Sequence, residues 1–294
     1  MIGDLLGLAS ALTWALVSVL LRGLQSRTDA LSLNALRSLV ATLLALAAVV
    51  VTGRLGDLGD VPFPTVGLLV ASVLVGMGIG DTIYFYSLRL VGVARGLLLS
   101  NAYPIYAAVM AAALLGERVG PGLVAGTLLV VFGVGLVLIP GRALHAKPGA
   151  VSVESERLGV MLALLAGFFW ACATVLARAG VQEVDGLVAA TIRLFAATVA
   201  LLLASSFSRQ GLQLKEYKGA HLAGTVAAGV AGLLSSVTFL LAAQLTGAAK
   251  TATLTSTAPL FGVPMSLMLG EKMTWQMALG CLASVAGIWL VVTA

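Results

Sequence analysis

Charge is scarce in this chain: Lys, Arg, Asp and Glu make up 10% of its 294 residues, where soluble domains carry about 25%. Water is therefore not its main solvent. Histidine and cysteine are sparser still, with two of each. His145 and His221 lie in a linker and near a predicted helix start, so no histidine cluster is available to hold a metal. Cys172 and Cys281 fall inside apolar runs without CxxC spacing and read as small apolar packers. The signatures HExxH, GxxxxGK(S/T) and GxSxG are all missing, which argues against an enzyme, and no cofactor is expected. The net charge of +5 comes from basic residues scattered among helix-end loops, with no aromatic-rich basic face, so no nucleic-acid partner is expected.

What the chain has in abundance is apolar length, at 60% hydrophobic residues. A bilayer core roughly 30 Å thick needs about 20 apolar residues per helix. Apolar runs between charged or Pro/Gly punctuation predict spans at Ile2–Leu21, Leu31–Thr52, Thr65–Leu88, Gly96–Leu115 and Gly122–Ile139. A second set follows at Leu158–Ala177, Leu187–Phe207, Ala220–Ala243, Thr251–Leu269 and Thr274–Val292. The expected fold is an all-α integral membrane bundle of ten transmembrane helices. The first span lacks a basic leader region and carries Asp4, so it is expected to stay in the mature protein as a true span.

The two sets repeat one another. A shift of 156 residues places Trp14 on Trp170, Arg22 on Arg178, Asp29 on Asp185 and Arg37 on Arg193. A shift of 155 places Gly92 on Gly247, Arg95 on Lys250 and Pro104 on Pro259. At 154, Leu115-Gly116-Glu117 falls on Leu269-Gly270-Glu271, with Gly126 on Gly280 and Gly133 on Gly287. The expected organisation is a five-helix repeat over residues 1–140, a polar linker over 141–157 and a second repeat over 158–294. Five spans per unit is odd, so the second unit enters the membrane from the opposite side and the repeats are inverted. That symmetry is common in secondary transporters, where a midplane site is exposed to each side in turn.

Counting Lys and Arg outside the helices gives eleven on the odd-numbered loops and four on the even-numbered ones. The positive-inside rule then makes the odd loops cytoplasmic and both termini external.

The run Trp14, Arg37, Pro104, Leu115-Gly116-Glu117 and a Gly-rich fifth span, repeated at Trp170, Arg193, Pro259 and Leu269-Gly270-Glu271, resembles the EamA family of the drug/metabolite transporter superfamily. The resemblance covers about Ile2 to Val292. It implies a ten-helix inverted-repeat transporter in the cell membrane, commonly an exporter of amino acids or other small metabolites, with no ATP-hydrolysing subunit. The expected partners are a small-molecule substrate and the lipid bilayer, and a monomer is compatible with all of this. The superfamily also includes carriers of lipid-linked sugars, which makes a lipid translocase the alternative. Members usually keep both termini in the cytoplasm, opposite to the charge count, and a reporter fused after Ala294 separates the two orientations.

Asp81 is the first candidate for a site. It lies 16 positions into the third span, about 24 Å from that end at 1.5 Å per residue, too deep for a short carboxylate to reach water. An ionised Asp there costs about 2.5–3.5 kcal/mol on insertion scales. It is expected to bind a proton or a cationic substrate group; the competing reading is a structural pair with Arg89. Gly76, Gly78 and Gly80 precede it, as Gly229, Gly232, Ser235 and Ser236 occupy the matching stretch of the second half. Such interrupted segments mark transporter sites, although the GxxxG spacing also suits close helix packing. Pro104 and Pro259 are expected to kink the fourth and ninth spans and free backbone carbonyls, with Asn101, Tyr103, Ser256 and Thr257 near enough to line a polar pocket.

Arg37 and Arg193 sit about 9 Å deep, so the plain expectation is that they reach back to the interface; the other reading is an anion site. Trp14 and Trp170 are predicted below the interfacial belt, as packing or substrate-stacking rings, and Trp275 and Trp289 as interface anchors. The expected substrate-binding set is thus Asp81, Tyr84, Asn101, Trp14, Trp170, Ser236, Ser256, Arg37 and Arg193, with Asp81 also the coupling residue and Pro104 and Pro259 the kinks. Glu117 and Glu271 are expected to serve loop structure.

Overall fold

A computed structural model describes residues 1–24, 28–91, 93–138, 153–208, 211–268 and 274–294. Most of the linker, the Leu269-Gly270-Glu271 repeat motif and the side chains of Arg22 and Arg89 fall outside that description. Among the described residues the chain is helical throughout, without strands. The helices are α1 (Ile2–Leu24), α2 (Ala30–Val51), α3 (Leu55–Asp60), α4 (Phe63–Val73), α5 (Asp81–Val91), α6 (Val93–Ser100), α7 (Tyr103–Leu115), α8 (Pro121–Leu138), α9 (Val153–Gly180), α10 (Gly186–Ser206), α11 (Gly219–Thr255), α12 (Ala258–Met268) and α13 (Trp275–Thr293). Nine stretches among the described residues are long and apolar enough to cross a bilayer, which makes this a multi-pass membrane bundle.

Nine and the expected ten differ at one place. The helix α11 has 37 residues, about 56 Å at 1.5 Å per residue and nearly twice a bilayer core. It is not one straight rod: Gly247 sits at φ 85° and ψ 172°, outside helical geometry. That left-handed φ suits glycine because it has no Cβ. The predicted ninth span therefore consists of the end of α11, a break at Ser256 and Thr257, and the short α12 with Pro259 in its first turn. Pro104 acts alike: the fourth span stops at Ser100, breaks at Asn101 and Ala102, and restarts as α7 with Pro104 in the first turn. The prolines start new segments, where their missing N–H is harmless, so each span is broken where a kink was expected.

The same chemistry starts corresponding helices. Asp29 accepts hydrogen bonds from the Leu31 and Ser32 N–H groups at 3.0 Å each, and Asp185 from those of Leu187 and Val188 at 2.9 and 3.3 Å. Each satisfies two amides that would otherwise lack a partner at a helix start. Across the bundle α1 lies along α11, α9 along α4 and α5, α2 along α10, and α8 along α13. The α8–α13 crossing is held by glycines: a Cβ on Gly126 would meet the Gly287 carbonyl at 2.7 Å, and one on Gly133 the Gly280 carbonyl at 2.6 Å. Backbones can approach this closely only where side chains are absent, a packing device suited to a bilayer, where apolar burial supplies little drive.

Candidate functional site

The Gly76-Gly78-Gly80 stretch forms a π-helical segment, Leu74–Gly80, that ends directly at Asp81. A π turn is wider than an α turn and commonly marks a functional position. Gly76 and Gly80 face α9: a Cβ there would lie 2.9 Å from Ala173 Cβ and 2.9 Å from Trp170 Cδ1, respectively. The close-packing reading of the glycines therefore holds. They let α9 close on the third span, and the closure brings Trp170 to Asp81.

Trp170 Nε1 donates to Asp81 Oδ1 at 2.8 Å. This bond joins two helices, while the competing pairing with Arg89 concerns a side chain outside the described residues. Tyr84 packs its ring 5.1 Å from that of Trp170, and Tyr103 meets the same indole edge-on at 6.3 Å. The Tyr103 hydroxyl donates to the Ala252 carbonyl at 2.9 Å and lies 2.9 Å from Thr255 Oγ1. A chain of contacts thus runs from Asp81 through Trp170 on α9 to Tyr103 on α7 and on to the end of α11.

Arg37 corrects the interfacial reading. Its residue is 5% exposed, so it does not return to the membrane surface. Its guanidinium lies 5.6 Å over the Trp14 ring, and its Nε donates to Asn34 Oδ1 at 2.9 Å. Gly232 leaves it room, since a Cβ there would stand 3.0 Å from its Nη1. Arg37 and Asp81 are near enough for their charges to interact. Opposite charges inside an apolar bundle stabilise one another more than they would in water. Arg193 also turns inward, its guanidinium 5.3 Å over Phe239. Its Nε is buried without a hydrogen-bond partner among the described residues, as is Asn101 Nδ2.

Not every candidate joins this cluster. Ser256 is buried and donates to the Thr253 carbonyl at 2.7 Å, satisfying the broken helix end. Ser236 is partly buried on α11; its neighbour Ser235 bonds across to Ser10, with the hydroxyl oxygens 3.3 Å apart. Trp275 and Trp289 are exposed. Two contributors escaped the sequence reading. Asn34 was legible in principle, three residues before Arg37 on the same helical face; Phe239 carried no signal. The arrangement offers a carboxylate bonded to Trp170, whose ring packs against Tyr84 and Tyr103, and a guanidinium over the Trp14 ring. Such a set can hold a cationic group, a proton or a carboxylate from a solute.

The sequence model of the EamA-like transporter family matches residues 1–139 and 157–293. An uncharacterized transporter from Archaeoglobus fulgidus is 24% identical over 297 aligned positions, covering 100% of this chain and 96% of that protein. An uncharacterized protein of Pseudomonas aeruginosa is 31% identical over 148 positions, 50% of each chain. A solved crystal structure shares the fold with a TM-score of 0.80 at 20% identity, covering 99% of this chain and 96% of that one. The chain belongs to the EamA-like transporter family.

Proposed function

We propose that this protein is a secondary active transporter of the cell membrane that exports a small amphiphilic metabolite, such as an amino acid, by alternating access. Asp81 carries the coupling proton or the cationic end of the solute, and Arg37 and Arg193 serve its anionic end. Trp14, Trp170 and Tyr84 supply stacking surface, and Asn101, Ser236 and Ser256 line the approach. The observation that carries this reading is the Trp170–Asp81 bond at 2.8 Å, which ties a carboxylate inside the bundle to an indole packed against Tyr84 and Tyr103.

The transport cycle uses ten spans as two inverted five-helix repeats, residues 1–140 and 158–294, joined by the 141–157 linker. Contacts between matched positions support this. Thr42 and Thr198, related by the 156-residue shift, touch through their hydroxyls at 2.9 Å. Gly126 meets Gly287 while its counterpart Gly280 meets Gly133, which is the reciprocal pattern of a two-fold axis.

The test is a thermal-stability screen of the purified protein against amino acids, amines and lipid-linked sugars. A bound solute at about 100 times its Kd adds about 2.7 kcal/mol to stability. The proposal expects an amino acid or amine to raise the Tm of the parent but not of Asp81→Asn. Stabilisation by lipid-linked sugars alone would favour the translocase.

A further inference from the structure

Glu117, so far assigned only to a loop, reaches across the molecule. Its carboxylate accepts from the Ala248 N–H at 2.7 Å and the Ala249 N–H at 3.2 Å, the first amides after the Gly247 break. Arg178 Nε, at the end of α9, stands 3.5 Å from the same carboxylate. A Cβ on Gly247 would press on the Glu117 carboxyl at 2.7 Å, so a larger residue there would displace this contact. One side chain from the first half of the sequence thereby holds two elements of the second.

Other ties on this face join the same two halves. Asp4 pairs with Lys250 at 3.1 Å, and Arg54 pairs with Asp185. All three lie at the even-numbered loops or at the start of the first span, hence at one side of the bundle.

Beneath Glu117 the spans four, six and nine close in two layers. Ala111, Val175, Ala248 and Ala249 form the outer one, and Ala107, Ala171 and Ala252 the inner one, all buried. Tyr103, whose hydroxyl binds the Ala252 carbonyl, lies at the inner edge beside Trp170. From Tyr103 to Leu115 the seal is about 18 Å deep at 1.5 Å per residue. Outside it lies a cavity of about 290 Å³ whose lining includes Glu117, Arg118, Arg178 and Lys250. Small side chains at the inner layer let the helices meet tightly, the outer layer is filled out by Leu123, Leu254 and Val291, and the polar tie lies at the mouth above both.

We propose that Glu117 is the tie of a gate: its hydrogen bonds to the Ala248 and Ala249 amides, with its ion pair to Arg178, close the Asp81 site to the even-loop face, and they must break for the site to open there. The gate rests on the transporter reading for its purpose. In sequence the three participating residue types recur as Arg22, Gly92 and Glu271 under the repeat shifts.

The experiment uses the full chain in proteoliposomes, with Cys172 and Cys281 replaced by Ala and one reporter cysteine, Ala252→Cys or Ala107→Cys, in the inner layer. A membrane-impermeant maleimide is applied separately to each side. Glu117→Gln removes the charge and keeps the shape, and Arg178→Gln is the second variant should the first fail to fold. Either is expected to raise reporter labelling about tenfold or more from the even-loop face, the size of losing one charge-assisted bond. A control cysteine, Ala190→Cys, buried in a different cluster, should keep its parent rate. Unchanged labelling at both reporters, or an equal rise at Ala190→Cys, would overturn the gate. Labelling reads opening whether or not any solute moves, so failure of the gate and failure of the transporter reading are distinguishable.

Discussion

Replacing Gly133 by Ala puts the close crossing of α8 and α13 to a direct test. The new Cβ would lie 2.6 Å from both the Gly280 carbonyl oxygen and the Ser284 amide nitrogen, whereas comfortable contacts between heavy atoms lie near 3.5–4.0 Å. Ser284 Oγ is closer still and could turn aside, but the other two obstacles are backbone, so the helices must part by about 1 Å. Overpacking of this kind costs about 1–3 kcal/mol. The cost spreads to the neighbouring Gly126–Gly287 contact, which loses its fit as the helices separate. At about 2–4 °C per kcal/mol, the purified protein should melt about 2–12 °C lower in a detergent thermal scan. Gly67→Ala is the matched control: a Cβ there meets nothing within 4 Å, and Ala gains about 1 kcal/mol over Gly in a helix interior. Its Tm should hold or rise. A Gly133→Ala protein that melts with the parent would refute the close glycine crossing.

The two capping aspartates should behave as a pair: Asp29→Ala and Asp185→Ala should each lose about 0.5–2 kcal/mol in stability, measured by thermal or denaturant unfolding. For Asp185, burial alone would raise the pKa, but Arg54 and two backbone N–H groups together hold it below its ordinary value of 3.8. A depressed folded-state pKa means stability that is present above pH 3.8 and lost as the pH falls through the folded value. The stability gap between the parent and Arg54→Met should therefore be steady above pH 3.8 and narrow below it. Trp170→Phe keeps the ring contacts with Tyr84 and Tyr103 but removes the donor to Asp81; with the carboxylate ionised this should cost about 1.5–3 kcal/mol, seen in unfolding, and Trp170→His should recover part of it.

Much of the architecture was legible because the bilayer imposes it. Span length and the places where Pro104 and Pro259 interrupt their spans follow from local sequence, although a kink was expected where the chain breaks. Asp29 and Asp185 stood out only as a repeated pair, and the structure shows them capping α2 and α10. A division between residues 243 and 251 was also expected from the sequence, and Gly247, at φ 85° and ψ 172°, interrupts α11 inside that interval; its dihedrals could not be read from hydropathy. Asp81 declared itself by depth alone. Its partner Trp170 did not, because nothing local joins residues 89 positions apart, although both had been singled out separately. Arg37 misled for the same reason: counting residues from a helix end gives depth but not facing. Only the tertiary fit of Gly232 and Trp14 makes burial the better place for its guanidinium. Glu117 stood out as a repeated motif, yet its role depended on amides that lie 131 and 132 residues away.

The central claim is that Asp81 is the coupling residue of a solute transporter. The most direct test is counterflow in proteoliposomes, with a solute identified by the stability screen, measured across pH for the parent and Asp81→Asn. Proton-coupled flux down an imposed pH gradient is expected in the parent; in Asp81→Asn the gradient should drive no flux, even if exchange at equal pH persists. Gradient-driven flux that survives Asp81→Asn unchanged would contradict the account.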